Sequence, residues 1–238
     1  MVGLEKKGQE QSLQRKELVA FHEAGHAVVG AMVPDYDMVQ KITIIPRTNG
    51  AGGLTFFAPS DARLETGLYS RQYLESQLAV ALGGRLAEEV IFGEDQVTTG
   101  ASNDLQQVAS IARRMVTQWG MSDKVGPVMI GSGGDGGQPF MGRSMGQSEP
   151  RWSAKMGRMV DEEVERMVAN AYFVAKKIVF ENKALLTELA QRLVDQETVS
   201  AEEFQTMVAE KGVLTADYEV YGSKPDEALP FQKLPVSL

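Results

Sequence analysis

His22-Glu23-Ala24-Gly25-His26, set in the apolar stretch of residues 18–33, contains both histidines of this 238-residue chain. Residues four apart on an α-helix differ by about 40° in azimuth and ~6 Å in rise, so a helical reading projects both imidazoles from one face toward one point. Such a pair can converge on Zn²⁺, which takes imidazole nitrogens at ~2.0–2.1 Å. Glu23 neighbours the first histidine, where its carboxylate can reach a water beside the ion without being a ligand. The His-Glu-x-x-His spacing thus names two ligands and a base. The competing reading is a histidine pair on the polar edge of an amphipathic helix. No other histidine is present to make the match by accident, and Leu18, Val19, Phe21, Val28, Val29 and Met32 argue for a buried helix. Gly25 costs up to ~1 kcal/mol relative to alanine inside a helix, so it calls for a packing reason. Close approach of another backbone to the site would supply one.

Working outward, the helix runs over residues 16–33 and stops at Pro34, and residues 1–15 read as a linker from an upstream module. Two β-rich runs, 39–45 and 53–57, flank the turn-forming spacer Pro46-Arg47-Thr48-Asn49-Gly50-Ala51-Gly52, which predicts a hairpin or small sheet. Residues 70–92 carry helical spacing broken at Gly83-Gly84, predicting a kinked helix or two abutting ones. A helix from about 103 to 119 ends at Gly120. Residues 126–150 read as a glycine-rich mobile loop. Helices follow at 153–181, 183–194 and 201–211, the last opened by a capping box of Ser200 and Glu203. The fold class is mainly α: a small β-hairpin or sheet after the active-site helix, then a C-terminal helical bundle. One domain over 16–211 precedes an extended tail, 212–238.

A net charge of -8 and a pI near 5.0 argue against a nucleic-acid surface. With no cysteine, disulfides, thiolate metal sites and cysteine nucleophiles are excluded, so any metal is held by histidine and carboxylate. No run approaches the ~18 apolar residues of a membrane span, and the polar N-terminus is not signal-like. Gly131-Ser132-Gly133-Gly134-Asp135-Gly136 fits a dinucleotide fingerprint, and residues 137–144 nearly fit a P-loop with Arg143 in place of lysine. Neither leads into a helix that could receive a phosphate, so ATP binding by this chain is not expected.

A catalytic zinc takes three protein ligands and keeps a fourth position open. The metzincin continuation fails, because Val29 and Met32 stand where its glycine and third histidine belong. The residues alone leave two candidates: Glu88-Glu89, otherwise a helix surface, and Asp104, otherwise an aspartate favouring a helix dipole.

The chain resembles the protease domain of the FtsH family of ATP-dependent zinc metalloproteases. Three motifs in order carry the resemblance: Phe21-His22-Glu23-Ala24-Gly25-His26-Ala27, Leu82-Gly83-Gly84-Arg85-Leu86-Ala87-Glu88-Glu89, and Thr99-Gly100-Ala101-Ser102-Asn103-Asp104-Leu105. Met115-Val116-Thr117-Gln118-Trp119-Gly120-Met121-Ser122 also fits. The resemblance implies one Zn²⁺ on His22, His26 and Asp104, with Glu23 as base, and Glu88 as a carboxylate orienting a ligand histidine. It implies upstream membrane spans and an AAA+ ATPase module outside this sequence, so that ATP acts only through that module, and hexamers of like or mixed subunits. The segments Glu65 to Glu75 and Pro139 to Met145 resemble chloroplast and cyanobacterial members, implying a thylakoid membrane with the protease facing the stroma, or the cytoplasmic face of a bacterial membrane. The implied function is hydrolysis of peptide bonds in unfolded or damaged membrane proteins by a zinc-activated water. Low sequence selectivity is expected, with an extended substrate pairing on an edge of the sheet over 39–57. The alternative is a ring-forming structural module of an ATPase hexamer with little or no peptidase activity. A further alternative keeps zinc hydrolysis but uses Glu88 or Glu89 as the ligand.

Overall fold

The computed structural model describes residues 12–48, 50, 52–130 and 153–213. Helix α1 (Leu13–Met32) starts a turn before the expected position because Ser12 caps it, its hydroxyl accepting from the Arg15 amide. Val33 ends it ahead of Pro34. Strands β1 (Met38–Thr43) and β2 (Leu54–Ala58) pair antiparallel, Thr43 opposite Leu54 and Met38 opposite Ala58, with an irregularity at Gln40. The hairpin is therefore present near its expected bounds.

A short helix α2 (Asp61–Thr66), which sequence periodicity does not suggest, is anchored by Arg63 between Asp35 and Asp37. Helix α3 (Arg71–Phe92) is capped by Ser70 and runs without interruption through Gly83-Gly84. Of the two expected forms, a kinked helix or two abutting ones, the second is thus ruled out, and the glycines serve packing. A Cβ on Gly25 would collide with the Gly83 carbonyl and lie 2.7 Å from Ala87 Cβ. One on Gly83 would lie 2.7 Å from the Gly25 carbonyl oxygen. The two helix backbones touch at this crossing, with no side chain between them.

Helix α4 (Ser102–Thr117) follows a single 3-10 turn, Thr99–Ala101. Helix α5 (Ala154–Glu181), capped by Ser153, buries Val160, Met167, Ala171, Val174 and Ile178 on the expected stripe. Helices α6 (Lys183–Gln196) and α7 (Ala201–Lys211) complete the bundle, and the Ser200–Glu203 capping box is formed. Between them lies a third strand, β3 (Thr198–Ser200), not anticipated because three residues carry too little period-2 signal. It pairs antiparallel with β1, placing β1 in the middle of the order β2-β1-β3. Glu197, at φ 61°, turns the chain from α6 into β3. Its carbonyl accepts from the Ile44 amide and the Thr43 hydroxyl, and its carboxylate pairs with Lys16.

The core lies where α1 packs on α3 and α6, with α5 closing against α3. Ile42, Leu78, Leu86, Met115, Ile178, Leu185, Leu186, Leu189 and Leu193 are fully enclosed there. The described chain is mainly helical with a small antiparallel sheet, as expected. Most of the expected loop over 126–150, including both glycine-rich decoys, and nearly all of the tail lie outside the described residues.

Replacing Gly25 by alanine sets a methyl group against backbone, which cannot swing aside as a side chain can. Gly25→Ala is expected to destabilise the chain by about 2–3 kcal/mol or more, read as a lowered urea midpoint at unchanged m-value.

Candidate metal centre

The crossing of α1 and α3 sets the site. His22 and His26 leave α1 on one side, their rings edge to face with centroids 4.8 Å apart and Nε2 atoms 3.2 Å apart. Gly84 of α3 lies against both: a Cβ there would be 2.6 Å from either Nε2. The opposite nitrogen of each ring is held from behind. His26 Nδ1 donates to the Val80 carbonyl at 2.8 Å, and His22 Nδ1 is 2.8 Å from Glu88 Oε1. A carbonyl only accepts, so the hydrogen of neutral His26 sits on Nδ1 and its Nε2 offers a lone pair. The Glu88 carboxylate selects the same tautomer of neutral His22.

Asp104 arrives from the first turn of α4. Glu88 helps to place it, because the second oxygen of that fully buried carboxylate accepts the Thr98 amide at 2.8 Å, just ahead of the 3-10 turn. The Thr98 hydroxyl accepts from the Gly100 amide, tightening the turn into α4. Asp104 Oδ2 then lies 3.3 Å from His22 Nε2 and 3.5 Å from His26 Nε2. Donor atoms bound at ~2.0–2.1 Å around a tetrahedral ion lie about 3.3–3.4 Å apart. The three separations match that requirement, so this donor set fits Zn²⁺. Among the described residues, no other group of three histidine or carboxylate side chains could hold a metal.

Residues 9–207 of the chain match peptidase family M41. The chain belongs to that family. It is 57% identical over 209 residues to the ATP-dependent zinc metalloprotease FtsH 3 of Synechocystis sp., a match covering 88% of this chain and 33% of that protein. It is 56% identical over 207 residues to the chloroplastic ATP-dependent zinc metalloprotease FTSH 5 of Arabidopsis thaliana, covering 87% and 29%. With the Synechococcus sp. ATP-dependent zinc metalloprotease FtsH the identity is 50% over 208 residues, covering 87% and 32%. This M41 chain is thus of the cyanobacterial and chloroplast FtsH type, and spans about a third of the length of these relatives.

Electrostatics in the M41 site favour a cation. Burial works against a charged His22, but hydrogen bonds to Asp104 and Glu88 and the nearby charge of Glu23 outweigh it, pushing its pKa up to about 10. Burial likewise opposes ionised Asp104, yet both histidines hold its pKa well below the usual carboxylate range. Glu88 is also lowered: burial opposes the anion, and His22 and the Thr98 amide over-compensate. A proton and a metal ion therefore compete for the same Nε2.

Of the sequence candidates, His22, His26 and Asp104 converge, whereas Glu88 and Glu89 point elsewhere. Glu88 spends its two oxygens on His22 Nδ1 and Thr98, and Glu89 takes the Tyr172 hydroxyl and Lys176. Glu23 is nearly buried at 8% exposure; its Oε2 accepts from the Thr55 hydroxyl at 2.7 Å. Gly84, Val80 and Thr55 were missed in the sequence reading. Gly84 had a signal, since a glycine pair inside a helical pattern asks what approaches it. Val80 had none, because a backbone carbonyl leaves no mark on residue type. Among the described residues no helix is long and apolar enough to cross a membrane.

Glu88→Ala removes the partner of His22 Nδ1 and the anchor of the Thr98 amide. Zinc affinity is expected to fall about 10–100-fold, measured by chelator competition, with Glu88→Gln losing less.

Proposed function

We propose that this chain is the zinc-dependent endopeptidase domain of a membrane-anchored, ATP-dependent protease, with His22, His26 and Asp104 as ligands of one Zn²⁺ and Glu23 as the base. The observation carrying this reading is the 3.2–3.5 Å triangle of donor atoms, each histidine held at Nδ1 so that Nε2 is presented inward. The names of the relatives, ATP-dependent zinc metalloproteases, support the same chemistry.

Bound zinc would supply Lewis-acid polarisation of the scissile carbonyl and acidify the attacking water. The Glu23 carboxylate accepts a proton from that water as its oxygen bonds to the carbonyl carbon, then returns the proton to the departing nitrogen as the C–N bond breaks. His22, His26 and Asp104 hold the centre, and Glu88 and the Val80 carbonyl keep the imidazoles oriented. Retention of all four of His22, Glu23, His26 and Asp104 favours a working peptidase over a purely ring-forming module.

The outer edge of β2 suits a substrate strand. Among the described residues, strand β1 is paired on both sides, whereas β2 has β1 on one side only and sits beside Glu23. An extended polypeptide adding there would be read through its main chain, which suits unfolded or damaged proteins of varied sequence. ATP-driven unfolding, hexamer formation with like or related subunits, and a thylakoid or bacterial membrane setting belong to this proposal and follow the relatives.

Metal analysis of purified, zinc-supplemented chain is expected to give one zinc for the wild type and little for His22→Ala or Asp104→Ala. Full zinc in Asp104→Ala would remove that ligand. Glu23→Gln is expected to keep fold and zinc while losing at least ~100-fold in cleavage of unfolded casein; retained cleavage would end the base assignment. Proline placed singly at the five positions of β2 is expected to raise KM where an outward amide is lost. Unchanged KM at every position would end the strand-pairing reading.

A further inference from the structure

The catalytic motif accounts for Glu23 but not for what aims it. Glu23 follows a ligand on α1, and a glutamate has three rotatable bonds before its carboxylate, so its backbone position alone leaves the oxygens free to wander. The structure provides a seat for them. Thr55, on β2, has its hydroxyl 2.7 Å from Glu23 Oε2 and 3.0 Å from the Glu23 carbonyl. Two residues earlier, just ahead of β2, stands Gly53. A Cβ on Gly53 would lie 2.7 Å from Glu23 Cγ, 2.8 Å from Oε1 and 2.7 Å from the Thr43 carbonyl oxygen. The carboxylate thus occupies the space that any other residue at 53 would fill. Among the described residues, the Thr55 hydroxyl is the only hydrogen-bond donor to that carboxylate.

We infer that Gly53 and Thr55 are positioning residues for the peptidase reaction: the Thr55 hydroxyl fixes Glu23 Oε2 while Gly53 makes room for Oε1, leaving Oε1 to accept the proton of the attacking water. The inference rests on the peptidase reading. The Thr55 hydroxyl touches neither the donor triangle nor the substrate in this scheme; it acts through Glu23. A lone hydroxyl carries one hydrogen, so while it serves the carboxylate it cannot also donate to the Glu23 carbonyl. The Glu23 carbonyl is the alternative acceptor for the same hydrogen, at the longer distance.

The arrangement also joins catalysis to substrate capture. The strand whose outer edge is offered to the polypeptide is the strand that seats the base, so displacement of β2 along its own axis moves the carboxylate with it. Placement errors of this kind act on turnover more than on capture.

The test uses the zinc-loaded 238-residue chain, fluorescently labelled unfolded casein as probe, and Thr55→Val, which keeps the branched shape and removes the hydroxyl. The expected result is a fall in kcat of roughly tenfold, the size of one hydrogen bond to a charged group, with KM unchanged and one zinc retained. Thr55→Ser is expected to recover most of the lost turnover, because it restores the donor without the methyl group. Gly53→Ala is expected to lower kcat further while also retaining zinc. Crystal structures of Thr55→Val and wild type with zinc are expected to show the Glu23 carboxylate displaced from its seat in the variant. Wild-type kcat in Thr55→Val, or an unmoved carboxylate in its crystal structure, would overturn the inference. A wild-type chain that binds zinc yet leaves casein intact would instead count against the peptidase reading, and the carboxylate position would still decide the role of Thr55.

Discussion

The contact of two bare helix backbones, Gly25 on α1 against Gly83 on α3, is the constraint from which the rest of the site follows. A helix pair normally stands 8–10 Å apart, separated by interleaved side chains. Here the absence of a Cβ on each side brings α3 close enough for three of its groups to act on α1: the Val80 carbonyl on His26, the Glu88 carboxylate on His22, and the bare Cα of Gly84 beneath both rings. The glycines lower helix propensity on both partners. Burial of the surrounding Ala24, Leu82, Leu86 and Ala87 offsets that cost.

Orientation comes from protein groups behind each ligand. Each imidazole has its outer nitrogen committed, Asp104 is delivered by a tightened turn, and one buried carboxylate, Glu88, touches both deliveries. Coordination of an ion by these three donors would demand little rearrangement, the condition under which a metal site binds without first ordering its own ligands. The negative groups that surround His22 serve the same end, since they make the pocket a place where positive charge is stabilised rather than merely admitted.

Much of this was legible in the sequence, and what was not has physical causes. The long helices announced themselves through period and through serine caps at 70, 153 and 200, because those signals are local. The hairpin was legible from its turn residues. The Gly83-Gly84 pair left open a kinked helix or two abutting ones, because a local rule sees only weakened propensity, while in the fold one continuous helix uses both glycines to admit a neighbouring backbone and the histidine rings. Strand β3 and helix α2 escaped because three and six residues hold too little pattern. At the site, the histidines and Glu23 were evident from spacing alone. The choice of Asp104 over Glu88 was not, because it depends on which carboxylate oxygens are already occupied, a property of tertiary structure. The resemblance to FtsH proteases supplied that choice; in the structure Asp104 Oδ2 lies 3.3 and 3.5 Å from the two Nε2 atoms, while Glu88 is engaged with His22 Nδ1 and the Thr98 amide.

The pairing of β3 with β1 carries a consequence for biosynthesis. A two-stranded hairpin is marginal by itself in water, and the partner that flanks β1 on its far side lies about 155 residues downstream, where Thr198 meets Thr43. A nascent chain emerging from the ribosome would hold the histidine helix long before that third strand exists. The platform on which Glu23 rests would therefore be consolidated only once Thr198–Ser200 has emerged, long after the helix and hairpin that precede it in the chain.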